Sequence, residues 1–367
     1  MDMLTLPEYP WDAMAPYLEQ AAAHPDGPVN LSIGTPVDST PAVIREALAS
    51  ASDAPGYPTT HGRRELREAV AAWFSRRRGV HDVDPEAVLP TIGSKELVAW
   101  LPTLLGMGQD DVVLRPRVAY PTYDIGAQIA GATPLAVEDP AELDEGTLAR
   151  VKLIWLNSPA NPTGAVTGVE HMRAWVELAR RLGAVVASDE CYAELPWEVD
   201  EVPSVLDPRV SAGDHRGLLA VYSASKQSNV AGYRAAFAAG CPELIAGLVN
   251  TRKHAGMIMP APVQEALRVA LTDDAHVEAQ REIYGRRREL LLPALQASGL
   301  QVRDSVAGLY LWCTDGVSDS WTLVEKMASR GIVVGPGVFY GEHGDGFIRV
   351  ALTAPDERIA AAAERLG

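Results

Sequence analysis

A lysine stands where a short apolar run ends. Leu218 to Tyr222 (LLAVY) is typical of a buried strand, and Ser223, Ser225 and Lys226 follow it directly. A lysine at such a place is costly unless it is paired or loses its proton, and a desolvated lysine amine is the nucleophile that forms Schiff bases. Ser223 and Arg234 could hold a phosphate together. A solvated loop lysine would show the same pattern, so SxSK alone leaves both interpretations open.

Two other apolar runs end in turns that could serve the same site. After AVVAS (184–188) come Asp189, which could pair with a pyridinium nitrogen, and Tyr192, which could donate to the adjacent ring oxygen. After LIWL (153–156) the proline-rich turn NSPANPTG can present the amide of Asn161. An acidic cap or a bare turn would explain either motif alone. Because ligands bind beyond the carboxyl ends of parallel strands, the three turns are best interpreted together.

The elements around these turns predict an α/β architecture, since helical patterns alternate with short apolar runs. The predicted helices span 41–51, 63–78 and 169–182, and the predicted strands 111–114, 153–156, 184–188 and 218–222. The later pattern differs, with a long helix at 275–295, strand-like pieces at 310–313, 332–334 and 347–350, and a closing helix from Asp356. We expect a large domain with a mainly parallel sheet between helices (43–273), and a smaller α+β domain built from 274–367 and an N-terminal arm (1–42).

Composition excludes several classes of protein. The 367 residues are 47% hydrophobic and 22% charged, which is ordinary for a globular chain. The net charge of −16 would repel a polyphosphate backbone, so nucleic acid is a poor partner. The 3 cysteines form no disulfide framework, and the opening residues lack the pattern of a secretory signal. Without a stretch able to span a bilayer, the expected location is the cytoplasm, away from membranes.

Taken together, NPTG, then DExY, then SxSK followed by GxR, in this order and at these separations, resemble the fold type I pyridoxal-phosphate aminotransferases of class I/II. The resemblance covers essentially the whole chain. It implies pyridoxal 5'-phosphate as cofactor and Lys226 as the lysine that holds it covalently. Asp189 would pair with the pyridine nitrogen, and Tyr192 and Asn161 would donate to the phenolic oxygen. Ser223 and Arg234, with Ser225 of the same motif, would hold the phosphate.

The same resemblance extends to positions before these motifs. Gly93, Ser94 and Lys95 open a predicted helix after a short apolar run, where backbone N–H groups meet an anion, and the family's phosphate loop is similar. Tyr120 of AYPTY matches the ring that the family stacks on the cofactor, and a tyrosine that only fills the core is the less favoured alternative. Tyr57 resembles the tyrosine that reaches the phosphate of the neighbouring subunit. It implies a homodimer with shared active sites.

The amino-acid end of the site needs a cation for the α-carboxylate, and a planar arginine suits it. Arg349 lies within the apolar run GFIRVAL and needs an anion, either a substrate carboxylate or an internal acid. The family's pattern favours the substrate, with the backbone of Gly34 in LSIGTP as the second contact. A distal carboxylate needs another cation, for which Lys95 is the candidate, a helix-surface lysine being the alternative. Further cations without a predicted direction are Arg63, Arg64, Arg115 and Arg117.

Within the family, stretches such as PEYPWD, APGYPTTHG and SASKQSNVAGYRAAF most resemble the actinobacterial succinyldiaminopimelate transaminases. This resemblance implies ping-pong exchange between N-succinyl-L,L-diaminopimelate and the pair glutamate/2-oxoglutarate, as in lysine biosynthesis. The same cofactor residues would serve an aspartate or aromatic aminotransferase, or a carbon–sulfur lyase.

Three hypotheses that assign the chain to other functional classes have weaker support. A silent ligand-sensing module lacks its basic helix-turn-helix region here. A nicotinamide dehydrogenase lacks an early GxGxxG, and a metal hydrolase lacks histidines at ligand spacing, so no metal is expected.

Overall fold

The structure is a computed structural model that describes residues 5–367. Its helices are α1 Ala15–Ala22, α2 Ala42–Ser50, α3 Arg64–Arg78, α4 Ser94–Leu104, α5 Thr122–Ile129, α6 Glu145–Leu148, α7 Val169–Leu182, α8 Pro208–Ser211, α9 Pro242–Ala255, α10 Ala261–Thr272, α11 Ala275–Ala297, α12 Ser320–Ala328 and α13 Asp356–Leu366. Its strands are β1 Val29–Asn30, β2 Val88–Ile92, β3 Val112–Arg115, β4 Thr133–Ala136, β5 Val151–Asn157, β6 Val185–Asp189, β7 Leu218–Ser223, β8 Ala235–Gly240, β9 Gln301–Arg303, β10 Tyr310–Thr314, β11 Ile332–Val333, β12 Gly335–Pro336 and β13 Ile348–Ala351.

The larger sheet has seven strands in the order β2-β8-β7-β6-β5-β3-β4. Five neighbours, from β7 to β4, run parallel, and β8 runs antiparallel to both β2 and β7. Except for the edge strand β4, the parallel strands are almost continuously apolar and buried, as is typical of strands covered on both faces. The expected α/β class with a mainly parallel central sheet is confirmed. Sequence patterning did not predict β8, whose AAFAAG sequence has little strand propensity.

The register of the central strands brings the predicted turns together. Asn157 at the end of β5 lies opposite Asp189 at the end of β6, and Asp189 lies opposite Val221 of β7. The Asn157 side-chain amide donates to the Asp189 carbonyl oxygen at 2.9 Å, and its Oδ1 accepts the backbone N–H of Asn161 at 2.8 Å. The three polar turns therefore leave the sheet at one edge.

A second, antiparallel sheet has the strand order β12-β13-β10-β9, and the short strands β1 and β11 form a separate parallel pair. Met14, Val29 and Leu31 of the N-terminal arm are buried in one cluster with residues of α11, β10 and β13. This shared core supports the proposed joining of arm and C-terminal part, and the boundaries at 42/43 and 273/274 stay a prediction.

A buried arginine connects the arm to the C-terminal helices. Arg287 of α11 binds Asp38 of the arm through Nη1 and Nη2 at 2.8 and 2.6 Å, and Asp356 of α13 through Nε at 2.7 Å. Gln280 donates to Asp38 and accepts from Asn229, which lies in the loop after Lys226. Burial opposes ionisation of Asp38, but hydrogen bonds from Arg287 and Gln280 outweigh it and lower the pKa of this carboxyl. The network therefore fixes the arm beside the loop of Lys226.

No helix within residues 5–367 combines the length and the apolar character needed to cross a bilayer.

We predict that Arg287→Ala destabilises the chain by about 3 kcal/mol, because a partly buried carboxylate loses its cation. The stabilisation should be full at neutral pH and shrink as acid protonates Asp38, whose pKa the pair lowers. Denaturant midpoints at pH 7 and in acid measure both effects. The control is Arg216→Ala, which removes an exposed arginine paired with Asp214 and should change little. Equal midpoints for the two variants at pH 7 would contradict the prediction.

Candidate active site

A cavity of about 720 Å³ opens at the carboxyl ends of the central strands. The large sheet, the small sheet and the arm all contribute to its wall. The residues of the predicted site that line it are Gly34, Ser94, Lys95, Tyr120, Asn161, Asp189, Tyr192, Ser223, Ser225, Lys226, Arg234 and Arg349. One cavity thus unites groups that are spread over most of the chain.

Lys226 lies just beyond β7, with its ammonium group donating to the carbonyl oxygen of Gly34. The Tyr284 hydroxyl donates to the Lys226 carbonyl oxygen at 3.3 Å and so holds the backbone in place. Burial lowers the pKa of Lys226, so more of the amine is unprotonated near neutral pH than for a lysine in water. The structure thus gives Lys226 the desolvated setting that a nucleophilic amine needs.

Asp189 ends β6 with only 7% of its surface exposed. Its Oδ2 accepts from the Tyr123 hydroxyl at 3.0 Å, and its Oδ1 accepts from the Cys191 backbone N–H at 3.2 Å. Burial raises the pKa of Asp189, while these hydrogen bonds from Cys191 and Tyr123 oppose the rise. Within residues 5–367 it forms no ion pair with a lysine or arginine. A positively charged ring nitrogen would supply the missing partner.

Polar groups for a phosphate gather on another side of the cavity. Helix α4 begins at Ser94 and leaves its first N–H groups free for an anion. The preceding Gly93 has φ +75° and lies so close to the Arg234 guanidinium that a Cβ there would overlap it. Ser223 donates to Ser225 through their hydroxyls at 2.8 Å. Because Gly93 has no side chain, the Arg234 guanidinium can pass close to its Cα and reach the cavity.

Tyr120 and Tyr192 present aromatic faces and hydroxyls to the same space. Burial raises the pKa of Tyr120 to about 12 and also raises that of Tyr192, so both stay neutral at physiological pH. The Tyr120 ring packs edge-to-face on the ring of Tyr123, with 5.9 Å between centroids. These donors, Asp189, Lys226 and the anion site fit pyridoxal phosphate.

Arg349 of β13 is 4% exposed and has no acidic partner within residues 5–367. It donates from Nη1 to Asn161 Oδ1 at 2.9 Å and from Nη2 to the Ser32 carbonyl at 2.6 Å, whereas the buried Nε has no partner in that range. Its guanidinium lies 4.0 Å from the ring centroid of Tyr310 and 4.9 Å from that of Tyr340. The internal-acid alternative is therefore wrong, and a buried cation remains for a substrate carboxylate.

The other predicted cations differ in availability. Lys95 is exposed on the cavity wall and has no hydrogen-bond or ion-pair partner in the described chain. Arg115 binds Asp124 at 2.7 Å, Arg117 binds Glu142, and Arg64 binds Glu68. These three and Arg63 are absent from the cavity wall as described. The structure thus leaves Lys95 as the candidate for a distal carboxylate.

Tyr57 lies outside the cavity and is fully exposed. Within one chain it does not join the other predicted residues, so its expected role requires a second subunit.

Three groups of the site were missed by sequence reasoning. Tyr123 binds Asp189, Tyr310 lies beneath Arg349, and the Ser32 carbonyl accepts from Arg349. Tyr123 was within reach because AYPTY already contained it. Ser32 likewise stands in LSIGTP, but its contact with Arg349 and that of Tyr310 arise from tertiary packing, which no local motif signals.

Comparison with known proteins gives a consistent result. Residues 26–366 match the family model described as aminotransferase class I and II. The chain is 55% identical to the 4-dedimethylamino-4-oxo-anhydrotetracycline transaminase OxyQ of Streptomyces rimosus, covering 99% of this chain and 100% of the relative. It is 54% identical to the probable aminotransferase Rv1178 of Mycobacterium tuberculosis (99% and 85% covered). It is 35% identical to an LL-diaminopimelate aminotransferase of Aquifex aeolicus (92% and 90% covered).

Solved structures agree. An aminotransferase from Neisseria meningitidis superimposes with a TM-score of 0.91 at 30% identity, covering 100% of this chain and 99% of the other. A probable N-succinyldiaminopimelate aminotransferase from Thermus thermophilus superimposes with a TM-score of 0.86 at 29% identity, covering 97% and 98%.

We predict that Lys226→Ala abolishes the absorbance band at about 400 nm that pyridoxal phosphate gives when it is bound covalently to a lysine. Turnover should fall by about 10²–10⁴-fold with the circular dichroism spectrum unchanged, because the amine also moves the proton. In the wild type, the rate of band formation should level off below the usual lysine pKa, since burial lowers the pKa of Lys226. Lys253→Ala on the surface of α9 is the control, and a normal band in Lys226→Ala would refute the assignment.

Proposed function

The chain belongs to the class I and II aminotransferases, which use pyridoxal phosphate, and from that premise we propose that it exchanges an amino group between glutamate/2-oxoglutarate and N-succinyl-L,L-diaminopimelate. The observation that carries the proposal is a pair of cations without acidic partners in the described chain, Arg349 and Lys95, that line one cavity with Lys226. A substrate with an α-carboxylate and a distal carboxylate matches such a pair. Relatives named for diaminopimelate and N-succinyldiaminopimelate support it.

In the proposed reaction the chain's residues bind, orient and move a proton. Bound pyridoxal phosphate supplies the electron sink that stabilises negative charge at the substrate Cα. Arg349 and the backbone at Gly34 hold the α-carboxylate, which fixes the direction of the Cα–H bond. Lys226 Nζ takes the proton from Cα, and Asp189 keeps its negative charge for the ring nitrogen. One water is consumed as the first substrate leaves as an oxo acid, its amino group would stay with the cofactor, and a second oxo acid then takes up that amino group and gives the water back.

A second candidate substrate is a bulkier oxo compound. Apolar and aromatic side chains of the arm, Leu6, Tyr9, Trp11 and Ile33, line the cavity together with Phe339. OxyQ, at 55% identity, is named for an anhydrotetracycline that carries an oxo group. Such a wall would accept a large apolar acceptor without a distal cation.

The test supplies glutamate and one acceptor at a time to the cofactor-loaded enzyme. The acceptors are the oxo form of N-succinyl-diaminopimelate, LL-diaminopimelate precursors, oxaloacetate, phenylpyruvate and a polycyclic ketone, and both amino product and 2-oxoglutarate are quantified. We expect the succinylated acceptor to give the largest kcat/KM. A preference for oxaloacetate, phenylpyruvate or the ketone would contradict the proposed substrate and leave the assignment as an aminotransferase intact. A separate assay with an S-substituted cysteine and no acceptor would identify a carbon–sulfur lyase by the release of thiol, pyruvate and ammonia.

Lys95→Met tests the distal contact. We predict that kcat/KM falls about tenfold or more for substrates with a distal carboxylate, because a hydrogen bond to a charged group is lost, and stays unchanged for alanine. Lys253→Met removes an exposed lysine elsewhere and should affect neither substrate. An equal loss of kcat/KM for alanine and glutamate would show that Lys95 does not bind the distal carboxylate.

We also propose a homodimer in which Tyr57 reaches the phosphate site of the other subunit. Its full exposure in one chain supports this role. Tyr57→Phe should weaken cofactor binding about tenfold or more, because a hydrogen bond to a charged phosphate is lost, without changing the mass found by sedimentation. A fully active monomer would contradict the proposal. The cytoplasmic location stays a prediction.

A further inference from the structure

Tyr310 of β10 lies where the cofactor half and the carboxylate half of the site meet. Its hydroxyl oxygen is 3.1 Å from that of Tyr192, and its ring lies 4.0 Å from the Arg349 guanidinium. A Cβ on Gly34 would overlap the same hydroxyl. One side chain therefore contacts the proposed phenol donor and both proposed carboxylate contacts, and no role has been given to it so far.

The small sheet fixes this position. Tyr310 pairs with Ala351 and Trp312 pairs with Arg349, so Tyr310 and Arg349 are diagonal neighbours on one face of β10 and β13. Tyr310 is 5% exposed, and its ring also packs edge-to-face against that of Tyr192, with 5.7 Å between centroids. Because the ring is held on two sides, its hydroxyl has little freedom to leave Tyr192.

We propose that Tyr310 is a positioning residue: its hydroxyl donates to the Tyr192 oxygen, so that the Tyr192 proton is directed to the cofactor's phenolic oxygen, while its ring supports Arg349. This inference rests on the roles proposed above for Tyr192 and Arg349. A hydroxyl has one proton and two acceptor lone pairs, so Tyr192 can accept from Tyr310 and donate onward. A donated hydrogen bond also polarises the next donor in a chain, which strengthens it.

At 3.1 Å either hydroxyl of the pair can be the donor, and donation from Tyr310 is the direction that leaves the Tyr192 proton free for the cofactor. The charged or titratable groups that interact with the pair are Lys226, Arg349, Cys191, Tyr120, Tyr284 and Tyr340. Burial raises the pKa of Tyr192, so the phenol keeps its proton for donation at neutral pH. A purely structural role would need only the aromatic ring, which phenylalanine also provides. The hydroxyl is therefore the group to remove.

The experiment compares Tyr310→Phe, Tyr192→Phe and the double variant, each loaded with pyridoxal phosphate. The readouts are the cofactor Kd, the pH midpoint of the visible absorbance, and kcat and KM with glutamate. Removing a donor leaves more negative charge on the phenolic oxygen beside the lysine-linked nitrogen, which then keeps its proton to higher pH. We expect Tyr192→Phe to raise the midpoint, and Tyr310→Phe to raise it by about 0.5 pH unit.

The kinetic constants should distinguish the role of the Tyr310 hydroxyl from the role of its ring. In Tyr310→Phe, kcat should fall about 2–10-fold, the value of one neutral hydrogen bond, while KM changes less than about twofold because the ring remains under Arg349. Tyr340→Phe is the matched control for the absorbance midpoint, since its ring also contacts Arg349 but its hydroxyl has no hydrogen-bond partner in the described chain. Its midpoint should equal that of the wild type.

The double variant decides whether Tyr310 acts through Tyr192. We expect its midpoint to match that of Tyr192→Phe alone, because the relay has no further effect once Tyr192 lacks its hydroxyl. Additive shifts would overturn the proposal. A wild-type midpoint in Tyr310→Phe, with a shift in Tyr192→Phe, would overturn it while leaving the proposed function intact. No shift in either would remove the role of Tyr192 itself. Loss of cofactor binding in Tyr310→Phe also contradicts it.

Discussion

Asn157, Asp189 and Val221 lie side by side on β5, β6 and β7, and this parallel register determines where the chemical groups of the site can be. Each strand ends at nearly the same level, so the turns after them share one edge of the sheet. A shift of one residue in β6 would turn Asp189 to the other face and leave a buried carboxylate without its hydrogen bonds. The site thus depends on the same backbone pairing that builds the core.

The desolvated charges explain why aromatic side chains surround the site. Asp189 and Arg349 are buried without an ion-pair partner in the described chain, which is costly unless hydrogen bonds and ring faces compensate. Tyr123 stabilises the carboxylate through its hydroxyl, and Tyr310 and Tyr340 lie against the guanidinium. Neither arrangement fully neutralises the charge. The remaining negative charge of Asp189 would attract a cofactor ring nitrogen, and the remaining positive charge of Arg349 would attract a substrate carboxylate.

How far the sequence could predict this structure depended on the range of each interaction. Apolar runs precede Lys226 and Asp189 and surround Arg349. Their places at strand ends or in a buried strand could therefore be predicted from the neighbouring residues in the sequence. Strand β8 was missed because alanine and glycine give weak strand signals, although its pairing with β7 and β2 is regular. The partner of Arg349 was left open, since only the folded chain brings Ser32 and Asn161 to it.

The bond from Arg349 to the Ser32 carbonyl joins segments 317 residues apart, and it has a consequence for a chain that is still being synthesised. All strands of the large sheet lie between residues 88 and 240, so the ribosome has supplied that sheet before β13 exists. Domains tend to fold as units in the order in which they emerge. The half that would hold the cofactor can therefore form on a nascent chain, whereas the carboxylate half has to wait for the last strand.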